Sequence, residues 1–363
     1  MPKKPNKDRA RDYGLPFIGT TGHSNAITDV TGVSIGHRTV IKDQASSAIR
    51  TGVTAVTIDP KDTNSGVPAA IFSFNGTGEF TGSHLIEEIG AVFGPILLTG
   101  TLNVGSVRDG ALQWARDNIA IQSDRFTRIL PVVAETFDGR LHDAWNYAFD
   151  PQLAAEAITA AKGGFVAEGA VGGGTGMISF GFKGGIGTSS RLVAFGEKQY
   201  TVGALAQCNF GFREALTILG APVGRAIGDL QPVGVELDDA AHSSLIVVIA
   251  TDAPFDAISL KRIARRAVLG MGRLGGAGEA TSGDIFLAFS TAARIKLDGI
   301  QPNVISSVPP ASFDPFAIAS VDAVEEAIIN ALFAGTTMDG NDGSRVYALP
   351  PERAATIIRQ WHA

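Results

Sequence analysis

The sequence predicts a mixed α and β fold in which two β-sheets stack on each other and helices lie outside them. Three observations carry this expectation. Short β-branched and aromatic runs broken by Gly, Pro, Asn and Asp fill residues 27–74. The run Leu245-Ile246-Val247-Val248-Ile249-Ala250 lacks polar alternation, so it reads as a strand covered on both faces, where a half-solvated strand would alternate. Apolar residues recur at helical spacing at Leu260, Ile263, Ala264, Ala267 and Val268, and again at Val321, Val324, Ile328 and Leu332.

Taken in order, residues 1–14 form a charged tail expected to fray. Strands are expected at 30–35, 52–58 and 69–74, followed by the turn-rich loop Asn75-Gly76-Thr77-Gly78-Glu79. Helical patches at 83–89 and 104–118 precede a strand at 129–134 and helices at 141–148 and 152–161. A strand-rich block at 177–207 has Gly172-Gly173-Gly174-Thr175-Gly176 in front and Gly184-Gly185-Ile186-Gly187 inside. Neither glycine cluster reads as a phosphate loop. The G-x-x-x-x-G-K-[ST] pattern is missing, and Met177-Ile178-Ser179-Phe180 reads as a strand where a dinucleotide fingerprint demands a helix. Hairpin turns and bulges are the first expectation, and backbone lining a site the second.

Lys261, Arg262, Arg265 and Arg266 are expected to form a solvated face of the first C-terminal helix, which ends at Gly270 and residues 275–278. Thr281-Ser282-Gly283-Asp284 then leads into a strand at 285–290. The next helix is expected to start at Ser320 and Asp322 and stop at Gly335, and a short one begins at Pro351. No stretch is rich enough in Pro or Gly to separate domains, so one domain over 1–363 is expected.

Composition narrows the chemistry. At 45% hydrophobic and 18% charged, the 363 residues supply a sizeable core, and 44 glycines imply many tight turns. A formal charge of −6, from 30 basic and 36 acidic residues, offers no basic surface for a phosphate backbone, so nucleic acid is not an expected partner. The single Cys208 excludes an internal disulfide and reads as a buried, inert thiol. His23, His37, His84, His142, His242 and His362 include no pair at metal-ligand spacing, and neither metal nor cofactor is expected. No secretory signal and no apolar run near ~18 residues is visible, which points to a cytoplasmic protein without a membrane partner.

The residues with most chemical promise are His242-Ser243-Ser244, where an acidic loop, Glu236-Leu237-Asp238-Asp239-Ala240-Ala241, meets the buried strand. A serine there is by default a turn residue. If the bond between Ser243 and Ser244 opened, Ser244 would carry both a hydroxyl and a free α-amine of pKa about 7.7 to 8.0, and amine activation of a chain-starting hydroxyl is a known device. Ser282 and Asp284, two apart at a strand mouth, would project on one face about 7 Å apart as a relay, or else are turn chemistry. Asn209 is a candidate amide donor to an oxyanion, or an Asx turn before Gly211. Glu135 could pair with a substrate ammonium, or be a solvated carboxylate at a strand end.

Several motifs in one order resemble a single family, the DmpA-like L-aminopeptidase D-amidase/esterases and β-peptidyl aminopeptidases. They are Glu168-Gly169-x-Val171-Gly172-Gly173-Gly174-Thr175-Gly176-Met177, Gly185-Ile186-Gly187-Thr188-Ser189-Ser190-Arg191, Ala250-Thr251-Asp252-Ala253-Pro254 and Ser282-Gly283-Asp284-Ile285-Phe286. The likeness extends from Thr28-Asp29-Val30-Thr31-Gly32-Val33 through Asn75-Gly76-Thr77-Gly78-Glu79 and Glu135-Thr136-Phe137-Asp138-Gly139 to about Ser290, most of the chain.

The resemblance implies an α+β fold, an αββα four-layer sandwich similar to the N-terminal-nucleophile hydrolases but differently connected. It implies a precursor that cuts itself between Ser243 and Ser244 into an α chain, 1–243, and a β chain, 244–363, with Ser244 as nucleophile. Ser282 and Asp284 match the assisting serine and acid, Asn209 the oxyanion donor and Glu135 the ammonium-binding carboxylate. Members remove N-terminal residues from short peptides, amides or esters, some accepting β- or D-amino acid derivatives, and assemble as tetramers of αβ pairs. Where proteins of this kind commonly have Gly or Asn before the nucleophile, this chain has Ser243. Two alternatives stand beside this reading: an acyl transferase similar to the ornithine acetyltransferases, whose Ala-Thr-Met-like cut motif is missing near residue 244, and a non-processing binding protein of the same fold.

Overall fold

The structure, a computed structural model, describes residues 9–43, 47–58, 65–119, 130–235, 243–296 and 301–363. In chain order the elements are β1 (Val33–Asp43), β2 (Ala48–Ile58), β3 (Val67–Ser73), α1 (Ser83–Ile89), β4 (Ala91–Val92), β5 (Ile96–Gly100), α2 (Val104–Asn118), β6 (Val132–Thr136) and α3 (Gln152–Thr159). They continue with β7 (Ile178–Ser179), β8 (Phe182–Lys183), β9 (Gly185–Phe195), β10 (Lys198–Asn209), α4 (Val223–Ala226), β11 (Ser244–Thr251), α5 (Ala257–Ala264) and α6 (Ala267–Arg273). Last come β12 (Gly283–Ser290), α7 (Asp314–Phe333), β13 (Met338–Asp339), β14 (Arg345–Val346) and α8 (Pro351–Trp361).

One sheet has the order β1-β2-β5-β6 and the other β4-β3-β12-β11-β10-β9. Each contains a parallel pair, β5 with β6 and β11 with β12. A parallel pair needs a long crossover, and α2 supplies it in the first sheet, α5 and α6 in the second. Side chains alternate across each strand and so sort into three layers of core. In β11, Ile246, Val248 and Ala250 meet the other sheet, while Leu245, Val247 and Ile249 face α5, α6, α7 and α8. In β5 and β6, Ile96, Leu98, Val132 and Ala134 face inward, while Leu97 and Val133 lie under α2 and α3. The result is helix, sheet, sheet, helix: the expected αββα sandwich, with β11 covered on both faces.

The first glycine cluster forms the Gly172–Gly174 turn, which is wedged between the sheets. Gly172 sits at φ +52, and a Cβ on it would strike the Thr54 and His37 side chains, so backbone alone fits there. Gly187 in β9 works likewise: a Cβ would come within 2.6 Å of Ala331 N on α7, which lies across that strand.

Some boundaries differ from expectation. The first strand begins at Val33, because Gly32 turns at φ +88, and runs on to Asp43. Residues 141–148 form turns instead of a helix, since Asp143 N–H bonds to Ala48 O in β2 and not to an i−4 carbonyl. The strand expected at 177–180 is only Ile178–Ser179, and Phe180 (φ +50) and Gly181 (φ +67) make the hairpin turn to β8. The 260–268 helix is two helices, α5 and α6, joined by a tight turn in which Arg266 N–H bonds to Ile263 O. Helix α7 begins at Asp314, six residues before Ser320, because Pro315 fits a first turn, and Ser320 Oγ donates to Phe316 O within the helix. The basic face is not wholly solvated: the Arg262 guanidinium lies 3.7 Å from the Phe313 ring centroid and Arg265 5.4 Å from that of Phe72. Cys208 is buried, and burial pushes its thiol pKa up. The acidic loop 236–241, His242 and Ile129 lie outside the described residues.

Candidate active site

Ser244 is the first residue of β11, and the ladder sets what surrounds it. Its direct partner across the antiparallel pair is Asn209, the last residue of β10, and its partner across the parallel pair is Gly283, the first residue of β12. The Ser244 side chain is buried, with no hydrogen-bond partner for Oγ among the described residues. Just before it, the Ser243 carbonyl accepts a 3.1 Å bond from Gly283 N–H. That carbonyl belongs to the Ser243–Ser244 peptide bond.

Ser282 and Asp284 are in direct contact, Ser282 Oγ donating to Asp284 Oδ1 at 2.8 Å, and both are buried. Asn75 Nδ2 donates to Asp284 Oδ2 at 3.0 Å, and Asn75 Oδ1 accepts from Asp284 N–H at 2.6 Å. Burial pushes the Asp284 pKa up to about 6, against the hydrogen bonds from Ser282 and Asn75, which hold it down.

Asn209 Oδ1 accepts a 2.9 Å bond from Ile178 N–H, which leaves its NH2 as the donor end. The other side of that peptide unit, Met177 O, accepts a 2.6 Å bond from the fully buried Lys183 Nζ, which also reaches Gly184 O at 3.0 Å. The Lys183 amino group, a peptide dipole and the Asn209 amide therefore line up in one hydrogen-bonded series.

Glu135 lies near the end of β6 and is buried, which corrects the solvated-carboxylate alternative. Oε1 accepts from Glu79 N–H at 2.9 Å, and Oε2 accepts from Thr101 Oγ–H. Burial raises its pKa, opposed by those two hydrogen bonds and reinforced by the charge of Glu79. Gly78 ties the carboxylate to the other sheet: a Cβ there would lie 3.1 Å from Glu135 Oε1 and 3.2 Å from Gly283 Cα. Behind this cluster, Thr51 Oγ donates to Asp138 Oδ2 at 2.6 Å and receives Asn103 Nδ2 at 2.8 Å.

All five sequence candidates thus converge where the C-terminal ends of β6 and β10 meet the N-terminal ends of β11 and β12. Sequence reasoning missed Asn75, Thr101, Lys183 and the Gly283 N–H. Asn75 stood in a loop already singled out, but nothing local marks its amide as a carboxylate's partner. Lys183, between Phe182 and Gly184 in an apolar strand block, was a visible anomaly, because a lysine is almost never fully buried unless paired.

The αββα sandwich places the chain among hydrolases with a variant of the Ntn hydrolase fold. The model of peptidase family S58 matches residues 25–346, and the chain belongs to that family. It is 45% identical, over 97% of its length and 91% of the relative's, to the beta-peptidyl aminopeptidase BapA of Sphingosinicella xenopeptidilytica. Among solved structures it is similar to the L-aminopeptidase D-Ala-esterase/amidase of Ochrobactrum anthropi, described as a prototype for the serine aminopeptidases, at TM-score 0.92 and 42% identity, covering 98% of this chain and 99% of that one. A Burkholderia sp. beta-aminopeptidase matches at TM-score 0.89 and 40% identity over 97% and 99% of the two chains. The protein is accordingly an aminopeptidase-type hydrolase, and a peptidase family does not favour the acetyl-transfer alternative. Among the described residues no helix is long and apolar enough to cross a membrane.

Proposed function

We propose that the chain is a self-processing serine aminopeptidase or amidase that acts on short peptides and amides with a free amine. N-terminal β-amino acid residues are the favoured substrates, as the names of the Sphingosinicella and Burkholderia relatives suggest. In processing, Ser244 Oγ attacks the carbonyl carbon of Ser243, and the oxyanion forms on an oxygen already held by Gly283 N–H. The Ser243–Ser244 C–N bond breaks, the proton from Oγ goes to the departing amine, and water hydrolyses the resulting ester to leave chains 1–243 and 244–363. In turnover, Glu135 holds the substrate ammonium, Ser244 Oγ bonds to its carbonyl carbon, and Asn209 Nδ2 with Gly283 N–H takes the oxyanion. The leaving amine is protonated, and water releases the acyl group from Ser244.

The observation that carries this reading is the register placing Ser244 between Asn209 and Gly283, with Gly283 N–H on the carbonyl of the bond to be cut. N-terminal sequencing of active material tests it. A second terminus beginning Ser-Leu-Ile-Val is expected, with two bands of about 25 and 12 kDa on denaturing gels, the 37.7 kDa chain divided in proportion to length. Active protein with only its original terminus would sink the proposal, as would a Ser244→Ala protein that hydrolyses aminoacyl p-nitroanilides at the wild-type rate. A tetramer of αβ units in the cytoplasm completes the proposal, and a lone αβ unit in sedimentation would remove the tetramer.

A further inference from the structure

Asn75 is locked in one orientation. Asp284 N–H can only donate, so the atom of Asn75 that faces it at 2.6 Å is the carbonyl oxygen, and the Asn75 NH2 faces Asp284 Oδ2. An amide NH2 cannot accept, so a proton on Oδ2 would point donor at donor. The Asn75 amide is held from a second side by Glu279 O at 3.0 Å. Its loop is pinned further along by Thr77 N–H on Ser282 O and Glu79 N–H on Glu135 Oε1.

From this geometry we infer that Asn75 is a positioning residue that confines the proton of Asp284 to Oδ1, the oxygen facing Ser282, and so makes Ser282–Asp284 a single-path acceptor for the proton leaving Ser244. The inference rests on the reading of Ser244, Ser282 and Asp284 given above. In the step concerned, Ser244 Oγ bonds to the substrate carbonyl carbon and the carbonyl π pair moves to its oxygen. Ser244 Oγ has no hydrogen-bond partner among the described residues, so it first turns onto Ser282 Oγ; its proton then passes to Ser282 Oγ while the Ser282 proton passes to Asp284 Oδ1. On collapse the same path returns a proton to the leaving amine, so no co-reactant is consumed.

Among the described residues, Glu279 in its own loop raises the Asp284 pKa, and at the far end of the Asn75–Glu79 loop Glu79 N–H donates to Glu135. Strands β3 and β11 carry no ionisable side chain. On the packed α5 segment, Lys261 pairs with Glu87, and Arg262 and Arg265 lie over Phe313 and Phe72. After processing, the α-amine of Ser244 joins this set.

The test is the pH dependence of kcat, which reports groups in the substrate complex, where Glu135 is already occupied by the substrate amine. Loss of the donor to Oδ2 favours the protonated acid, so Asn75→Ala should move the acidic limb of kcat up by about one pH unit. Asn75→Asp keeps an acceptor for Asp284 N–H but sets two carboxylates together, and should move the limb by about two units or more. An unmoved limb in Asn75→Asp, with activity reduced equally at every pH, overturns the inference and assigns the proton to the α-amine. Should Asn75→Ala fail to fold, Asn75→Asp decides alone. Asp284→Asn separates the two layers of argument: if it retains wild-type kcat the underlying relay is wrong, whereas an inactive Asp284→Asn beside an unshifted Asn75→Asp removes only the role of Asn75.

Discussion

Asn209 and Ser244 face each other directly across the β10–β11 ladder, the last residue of one strand opposite the first of the next. Because Ile178 N–H occupies Asn209 Oδ1, the donor end of the amide cannot swing away without breaking a buried bond. Asn209→Ala should therefore lower kcat for an aminoacyl p-nitroanilide by about 100- to 1000-fold with little change in KM. A loss confined to KM would argue against an oxyanion role.

Glu135 should bind the substrate amine only when ionised. Burial raises its pKa, so affinity for free-amine substrates should begin to fall, as pH drops, at a higher pH than an exposed glutamate would give. Glu135→Gln should raise KM by about 10- to 100-fold, the range of a charge-assisted hydrogen bond, and flatten that pH dependence. Unchanged KM against pH in the variant would remove Glu135 from the substrate contact.

Asp138 makes a prediction about stability. Burial pushes its pKa to about 7, above the 3.8 of an exposed aspartate, so between those values the folded protein holds a proton that the unfolded chain has lost. Stability then declines as pH rises from about 4 towards 7, by an amount on the order of 4 kcal/mol at most. An asparagine amide in its place would keep an acceptor for the Thr51 hydroxyl without the charge, so Asp138→Asn should be the more stable protein at pH 8 and lose this decline. Denaturant midpoints measured across that range check it, and identical slopes for the two proteins would contradict it.

Glu326 on α7 joins the two segments that processing would separate. It pairs with Arg191 at 2.7 Å and Arg11 at 2.8 Å and accepts from Asn25 at 2.6 Å, all three from residues before 244. Removing it strands the buried Arg191 guanidinium, so Glu326→Ala should cost about 3 to 5 kcal/mol of unfolding free energy. A cost below about 1 kcal/mol, the range of exposed pairs, would show that the cluster adds little.

How much was legible in the sequence depended on the range of the forces involved. The unbroken apolar run of Leu245 to Ala250 identified β11 as doubly covered, because side-chain alternation is a local consequence of the extended backbone. The Ser282–Asp284 pairing followed from a spacing of two in the same way. Residues 141–148 misled, since their apolar spacing suits a helix while Asp143 N–H is taken by Ala48 O from a distant strand. Ser320 and Asp322 misled in the opposite sense, imitating a helix start that Pro315 marks about one turn and a half earlier.

The sequence by itself determined the layers of the fold, the candidates Ser244, Ser282, Asp284, Asn209 and Glu135, and the kind of family to which they belong. Only the tertiary structure decided that Glu135 is buried, that Asn75 holds Asp284, that Lys183 stands behind Asn209, and that Gly283 N–H grips the Ser243 carbonyl. The first set rests on periodicity and motif order, which neighbours along the chain express. The second consists of hydrogen bonds between residues far apart in sequence, whose partners exist only once two sheets have packed and their strand ends have met.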